Sequence, residues 1–344
     1  MLFLKPIFFA EATERCVDFI ISRLTGDLPF FPVSTREVAL PEIDLPSSGV
    51  LIATSGSSGK AKLAHLSLEN LFHSASFSHP DLVLEPGDKY LLSVPLYHVS
   101  GLSIVTRCYF SGAEVILPGS GKESEVTHVS FVPTQLKRFL QNPKVYPKLK
   151  AILVGGAPIP FDLCLEAHSR GFPIYITYGM TEMSSQVATQ KFNPKKGIAF
   201  GDPLPYRELK LVDGEIYVRG KTLFQGYHNL PSSFADGWFP TKDLGHIGPH
   251  GLELIGRKDR MFISGGENIH PEELEKALLS HPEILRANVS SRPDPEFGAR
   301  PTAIIESPLS ETEILEHLTP LLPKFKLPKK EDITLNPKVY HWHK

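Results

Sequence analysis

The stretch Thr54-Ser55-Gly56-Ser57-Ser58-Gly59-Lys60-Ala61-Lys62 follows an apolar run, Gly49 to Thr54 (GVLIAT), and precedes a helical pattern near Ser67 to Ser76. Its two glycines let the backbone come close to an anion, its hydroxyls and amides donate hydrogen bonds, and Lys60 and Lys62 add positive charge. That combination suits a nucleotide polyphosphate, although the same composition serves flexible serine-glycine linkers. The spacing is not that of the P-loop, which closes on Gly-Lys-Ser/Thr.

Downstream of the loop, short apolar runs alternate with amphipathic stretches. The order is YLLSVPL, a helix near Leu102 to Tyr109, AEVIL, HVSFVP, a helix at Thr134 to Leu140, KAILVGG, a helix at Phe161 to Ser169, and PIYITYG. This rhythm predicts an α/β fold with a mainly parallel, helix-covered sheet, in which ligands lie beyond the carboxyl ends of the strands. From Gly201 to Gly256 the pattern changes to antiparallel hairpins, one turning at Asp213-Gly214. A small α+β unit follows, with a helix at Pro271 to Ser280, strands in RANVSSRP and RPTAIIE, and a helix at Glu311 to Leu322. Residues 1–48 read as an N-terminal arm and linker, with a helix at Ala10 to Leu24 and a proline-rich connector at Leu28 to Ser48. Residues 49–256 read as the large domain and 257–344 as the small one.

The chain has 344 residues and a formal net charge of -2, so no basic field gathers nucleic acid and no cationic face suits an anionic membrane. No apolar stretch approaches the roughly 20 residues that span a bilayer. The opening MLFLKPIFFAEATERC lacks an export signal's uninterrupted apolar run and cleavage site. Cys16, Cys108 and Cys164 are odd in number and sit among apolar residues, which points to packed thiols and a reducing cytoplasm.

Further segments carry chemistry. In Tyr178 to Glu182 (YGMTE), the Tyr178 ring can lie on a purine face, Thr181 can donate to a phosphate, and Glu182 is a hard oxygen ligand for Mg2+ or a simple helix-start acid. Gly155 and Gly156 either admit a planar base to the backbone or make a tight turn. His98 in PLYHVSG is, by itself, either a packed core histidine or a reactive-site group.

Taken together and in order, TSGSSGKAK, PLYHVSG, Gly155-Gly156-Ala157, YGMTE, TKDLG (Thr241 to Gly245) and GRKDRMFISGGENIHPEELE (Gly256 to Glu275) resemble the acyl-CoA synthetase superfamily of adenylate-forming enzymes. The resemblance implies a large domain with mainly parallel sheets and a small mobile C-terminal domain. It implies an ATP site at Thr54, Ser55, Gly56, Ser57, Ser58, Gly59, Lys62, Gly155, Gly156, Ala157, Tyr178, Gly179 and Thr181. It further implies ribose contacts at Asp243 and Arg257, Mg2+ at Glu182, and His98 at the mouth of the acyl pocket. Asp259 matches the hinge, and Ser264, Gly265, Gly266 and Glu267 match the face presented to coenzyme A. The implied reaction joins a small carboxylic acid to AMP and then to coenzyme A, with charge on phosphate oxygens as its central electrostatic problem.

Within the superfamily, YLLSVPLYHVSG, SFVPTQLKRFL, LKAILVGGAPIP, TYGMTE, MFISGGENIHPEELE and EFGARP are most similar to the o-succinylbenzoate-CoA ligases of menaquinone synthesis. That substrate has a second carboxylate, which needs a cation or several donors when buried. Arg107, nine residues beyond His98, is the candidate cation, with Ser130, Thr134, Gln135 and Ser185 as candidate donors. Arg107 pairing with an acid on the surface is the competing expectation.

The chain departs from the family pattern at both ends. Only 53 residues precede Thr54, so a shortened large domain is expected, and Ala61 replaces a proline usual in the loop. The tail TLNPKVYHWHK offers Lys344, or Lys338, as the lysine that the family places on the reacting carboxylate. Two alternatives stay open beside the ligase: a nucleotide-binding remnant that does not complete thioester formation, and a ligase for another aryl or fatty acid. Self-association of the chain also stays open.

Overall fold

A computed structural model describes residues 6–34, 42–54 and 61–336 of the chain. Strand β1 (Ile7–Phe9) pairs in parallel with β2 (Phe31–Val33), and helix α1 (Glu14–Thr25) lies between them in sequence. Thr13 caps α1 by accepting from the Cys16 amide at 3.3 Å. The apolar stripe of α1, with Cys16, Val17, Ile20 and Leu24, is buried in the main core. The expected arm is therefore part of the large core, and the expected connector at Leu28 to Ser48 contains β2.

The next segment corrects the sequence reading. Strands β3 (Val50–Thr54) and β4 (Lys62–Leu66) form an antiparallel hairpin, and β13 (Gly226–Tyr227) adds to the β4 edge. The serine-glycine loop thus joins two strands of a separate three-stranded sheet, and a strand rather than a helix follows it. The five residues KLAHL, with Leu63 and Ala64 adjacent and no clean alternation, are too short a signal to separate from loop. Helix α2 (Leu68–Ser76) comes after β4, opened by a capping box between Ser67 and Asn70.

The principal sheet has six strands in the order β10-β9-β8-β7-β5-β6. They are β5 (Lys89–Leu91), β6 (Glu114–Ile116), β7 (His128–Phe131), β8 (Ala151–Val154), β9 (Ile174–Met180) and β10 (Ser185–Lys191). All pair in parallel except β9 with β10, so the sheet is mainly parallel with an antiparallel edge. Helices α3 (Val99–Ser111), α4 (Pro133–Gln141) and α5 (Phe161–Ser169) make the crossovers. β8 is buried at every position, as a strand covered on both faces must be. Cys108 and Cys164 are packed thiols, their pKa pushed up to about 12 chiefly by burial.

A four-stranded antiparallel sheet follows, β11 (Arg207–Val212), β12 (Glu215–Gly220), β14 (Phe239–Gly248) and β15 (Gly251–Arg257). Its first hairpin turns at Asp213-Gly214, both with positive φ (50° and 78°), as a two-residue turn requires. The remaining chain forms hairpin β16 (Phe262–Ser264) and β17 (Glu267–Ile269), helix α6 (Pro271–Leu279), strands β18 (Arg286–Asp294) and β19 (Gly298–Glu306), helix α7 (Glu311–Leu318) and strand β20 (Ile333–Leu335). Its apolar side chains, from Ile269 to Ile333, make a core of their own, distinct from the one that runs from Phe8 to Leu252. The two units touch where Lys137 of α4 donates to the carbonyls of His281 (3.0 Å) and Ile284 (2.6 Å). Among the described residues no helix is long and apolar enough to cross a membrane.

Candidate active site

Strand β8 ends at Val154, opposite Ile176 of β9, and the two glycines after it have different reasons. Gly155 has ordinary φ, but a Cβ there would lie 2.6 Å from Thr177 Cγ2 and 2.9 Å from Thr177 O, so its absence of side chain is demanded by strand packing. Gly156 turns the chain at φ +77° and leaves Ala157 exposed at the strand end. Gly155→Ala is therefore expected to destabilise the fold by about 1–3 kcal/mol, because the backbone of β9 has to give way. Urea unfolding measures this, and an unchanged midpoint would refute the packing argument.

Tyr178 and Gly179 lie near the end of β9, and Thr181 and Glu182 in the single 3-10 turn Thr181–Met183 that follows. Ser184 and Ser185 (φ 55° and 116°) reverse the chain into β10. The Tyr178 ring is buried, and its hydroxyl donates to Asp243 Oδ2 at 2.7 Å. Asp243 on β14 stands opposite Arg257 on β15, whose Nη1 donates to Asp243 Oδ1 at 2.9 Å. Arg257 also grips Asp259 with Nε (2.9 Å) and Nη2 (3.1 Å), and Lys242 Nζ lies 3.6 Å from Asp259. Burial raises the Asp243 carboxyl above its ordinary range despite its two donors, and burial together with Asp243 raises the Tyr178 phenol well above its own. Burial alone would also raise Asp259, but Arg257 and then Lys242 hold it below the usual carboxylate range.

Glu182 has a partner that the sequence did not reveal. Tyr227 of β13 donates its hydroxyl to Glu182 Oε1 at 2.6 Å, and the Lys62 ammonium lies 4.9 Å from the Tyr227 ring centre. Burial, with Glu182 adding to it, raises the Tyr227 phenol, so it stays a donor. An isolated Gly-Tyr pair gives no signal in sequence; only the β13–β4 pairing carries it to Glu182. Thr54 and Lys62 face each other across the hairpin, Thr54 Oγ1 donating to the Lys62 carbonyl at 3.3 Å. Ser55, Gly56, Ser57, Ser58, Gly59 and Lys60 lie outside the described residues, as do Lys338, His341, His343 and Lys344.

The candidate acyl-site residues do not form one cluster. His98 precedes α3, half-buried, its ring 4.6 Å from that of Tyr97. Arg107 is buried, which overturns the surface-pair expectation; Nη2 donates to Gln186 Oε1 at 2.6 Å and Nε is buried with no acceptor. Ser130 bonds Tyr90 Oη at 2.7 Å, and Gln135 is spent on the Val132 amide (3.0 Å) and the Ser93 carbonyl (2.8 Å). Thr134 points elsewhere, into the crevice between α4, α5 and residues Leu279 to Leu285, because helical periodicity turns it away from Gln135. Ser264 is buried at the end of β16, and Gly265 and Gly266 (φ 59° and 89°) turn the chain to Glu267 in β17.

The AMP-binding enzyme family matches residues 26–228. The 2-succinylbenzoate–CoA ligase of Salmonella typhimurium is 37% identical over 285 residues, 80% of this chain and 62% of that protein. The 2-succinylbenzoate–CoA ligase of Bacillus subtilis is 34% identical over 317 residues, 84% of this chain and 65% of that one. The chain thus spans less than two thirds of the length of these curated relatives. Among solved structures, the o-succinylbenzoate coenzyme A synthetase of Bacillus subtilis is similar in complex with the acyl-adenylate intermediate OSB-AMP, with TM-score 0.75, 32% identity, and coverage of 88% of this chain and 69% of that one. It is similar also in complex with ATP and magnesium ion, with TM-score 0.76, 31% identity, and coverage of 90% and 73%. Matched by the family over more than half its length, and sharing the fold of these structures, with its Tyr178, Asp243 and Arg257 joined by hydrogen bonds, the chain belongs to the AMP-binding, adenylate-forming enzymes.

Proposed function

We propose that the protein is an ATP-dependent acid-CoA ligase that converts o-succinylbenzoate to o-succinylbenzoyl-CoA through an acyl-adenylate. The observation that carries the acid's identity is Arg107, a buried guanidinium with one hydrogen bond, an acceptor-less Nε and no carboxylate partner among the described residues. An unpaired buried cation is costly, and the second carboxylate of a dicarboxylic acid would neutralise it.

In the first half-reaction the acid's reacting carboxylate oxygen bonds to the α-phosphorus of ATP as the bond to pyrophosphate breaks. In the second, coenzyme A thiolate bonds to the acyl carbon as the bond to AMP breaks. Asp243 and Arg257 offer an acceptor and a donor to the ribose hydroxyls, held in register by Tyr178 and Asp259. Glu182 offers one carboxylate, and the described residues contain no group of three or more His, Cys, Asp or Glu placed to hold a metal. That donor set fits Mg2+, which takes one or two carboxylates with substrate phosphates and would neutralise charge on their oxygens. Lys62 adds charge on the face of Tyr227, which holds Glu182, and His98, at the start of α3, would meet the acid. Residues 257–344 act as the mobile unit, pivoting near Asp259 and presenting the Ser264 to Glu267 turn to coenzyme A.

Acid-dependent exchange of pyrophosphate into ATP tests this, run with o-succinylbenzoate, benzoate and a fatty acid, followed by thioester detection with coenzyme A. Exchange and thioester are expected with o-succinylbenzoate alone. Arg107→Ala is expected to raise its KM by about 10- to 100-fold, the loss of a charge-assisted pair. Equal exchange with the fatty acid, or an unchanged KM in Arg107→Ala, would overturn the assignment of the acid.

A further inference from the structure

Arg107 is one of two buried guanidiniums that bond the same residue, Gln186. Gln186 is 1% exposed, and Arg107 and Arg207 are each 4% exposed. Arg107 Nη2 donates to Gln186 Oε1 at 2.6 Å, and Arg207 Nε donates to the Gln186 carbonyl at 2.7 Å. Arg207 is then satisfied by carbonyls, those of Phe77 and Pro205 at 2.7 Å and of Ser74 at 3.3 Å. Neither guanidinium has an acid partner among the described residues; Asp88, whose charge reaches the same part of α3, is held by Lys150 at 2.7 Å. Two like charges therefore flank one neutral residue, Arg107 on its side-chain amide oxygen and Arg207 on its backbone carbonyl, and burial, then the charge of Arg107, makes Arg207 harder to keep protonated.

The amide is itself held at both ends. Gln186 Oε1 also accepts from Ser78 Oγ at 2.8 Å, and Nε2 donates to Thr189 Oγ1 at 2.7 Å, which fixes the oxygen toward Arg107. In the sheet, Gln186 stands opposite Gly179, and β10 bulges between Gln186 and Ala188. A bulge re-aims side chains, and here it accompanies a strand that must pass so close to Gly179 that a Cβ there would overlap the Ser185 carbonyl.

A glutamate at this position would make an ion pair and would silence the cation. A glutamine orients it through one strong bond and leaves its charge uncompensated. We propose that Gln186 is a positioning residue, which aims the Arg107 guanidinium while keeping it electrostatically available to a second carboxylate on the acid, and so sets the preference for dicarboxylic acids. This rests on the reading of Arg107 as that carboxylate's partner, and it adds a residue and a reason for its chemical type.

The test is selectivity, the ratio of kcat/KM for o-succinylbenzoate to that for an analogue lacking the second carboxylate, in Gln186→Glu, Gln186→Met and Arg107→Ala, with ATP affinity measured alongside. Gln186→Glu keeps the acceptor for Arg107 and Ser78 but adds the missing charge, and is expected to lower the ratio by about tenfold or more. Gln186→Met keeps the volume and removes the bond, and is expected to lower it by about three- to tenfold through KM rather than kcat. ATP affinity is expected to stay within about twofold in both, a change under 0.5 kcal/mol that a merely misfolded strand β10 would exceed. If Arg107→Ala lowers the ratio and both Gln186 variants leave it unchanged, the positioning role is wrong and the carboxylate site stands. If Arg107→Ala leaves the ratio unchanged, the carboxylate site itself is wrong. Should Gln186→Glu fail to fold, the ratio in Gln186→Met decides by itself.

Discussion

Asp243→Ala is expected to weaken ATP binding by about 100-fold and to lower the free energy of unfolding by about 2–4 kcal/mol. Both effects come from one carboxylate. Its two oxygens accept from Tyr178 at 2.7 Å and from Arg257 at 2.9 Å, so its removal strands a buried phenol and releases the arginine to Asp259 alone. An unpartnered buried hydroxyl costs about 1–3 kcal/mol, and the broken partly buried ion pair adds to it. The affinity loss has a separate origin, in the acceptor and the aligned donor that the ribose hydroxyls would lose, each a charge-assisted bond of about 1.5–3 kcal/mol. Tyr178→Phe separates the two, since it removes the phenol and keeps the carboxylate. Stability is expected to fall by about 1 kcal/mol and ATP affinity by less than about threefold. ATP titration calorimetry and urea unfolding on both variants decide the matter. Equal affinity losses in the two would mean that Asp243 acts only by holding the fold.

Glu182→Gln is expected to slow acid-dependent pyrophosphate exchange by about 10²- to 10³-fold at saturating ATP, by analogy with the loss of one preorganised donor to developing transition-state charge. The amide oxygen can still accept from Tyr227, so the turn Thr181–Met183 and its contact with β13 are expected to survive. Loss of the negative charge would weaken the proposed Mg2+ contact, and the Mg2+ concentration for half-maximal rate is expected to rise by about tenfold or more. An unchanged Mg2+ dependence would show that Glu182 is a structural acid held by Tyr227.

The motif YGMTE and the segment TKDLG were both visible as strings, but their conjunction was not. Tyr178 reads in sequence as a purine platform; the structure makes it the hydroxyl donor that holds Asp243, because β9 and β14 bring positions 65 apart in sequence within 2.7 Å. Arg107 was singled out by its spacing from His98, and its burial and its lack of an acid partner among the described residues required the packing of α3 on β10. Thr134 and Gln135 looked alike as neighbours; a helix sends adjacent side chains about 100° apart, and each ended in different surroundings. The helices were legible to within about four residues at either end, because apolar spacing near 3.6 residues marks their buried face, as at Phe161–Ser169.

Residue types and their order along the chain determined that this is an adenylate-forming α/β protein, and they mark Thr54 to Lys62 as the loop proposed for phosphate, because backbone freedom at glycine, the charge of lysine and carboxylate, and hydrophobic period are local properties. The sequence did not determine that this loop closes a β-hairpin, that Tyr227 reaches Glu182, or that Gln186 stands between two buried arginines. Those follow from strand pairing and packing between segments distant in the chain, where burial decides which polar groups must find one another.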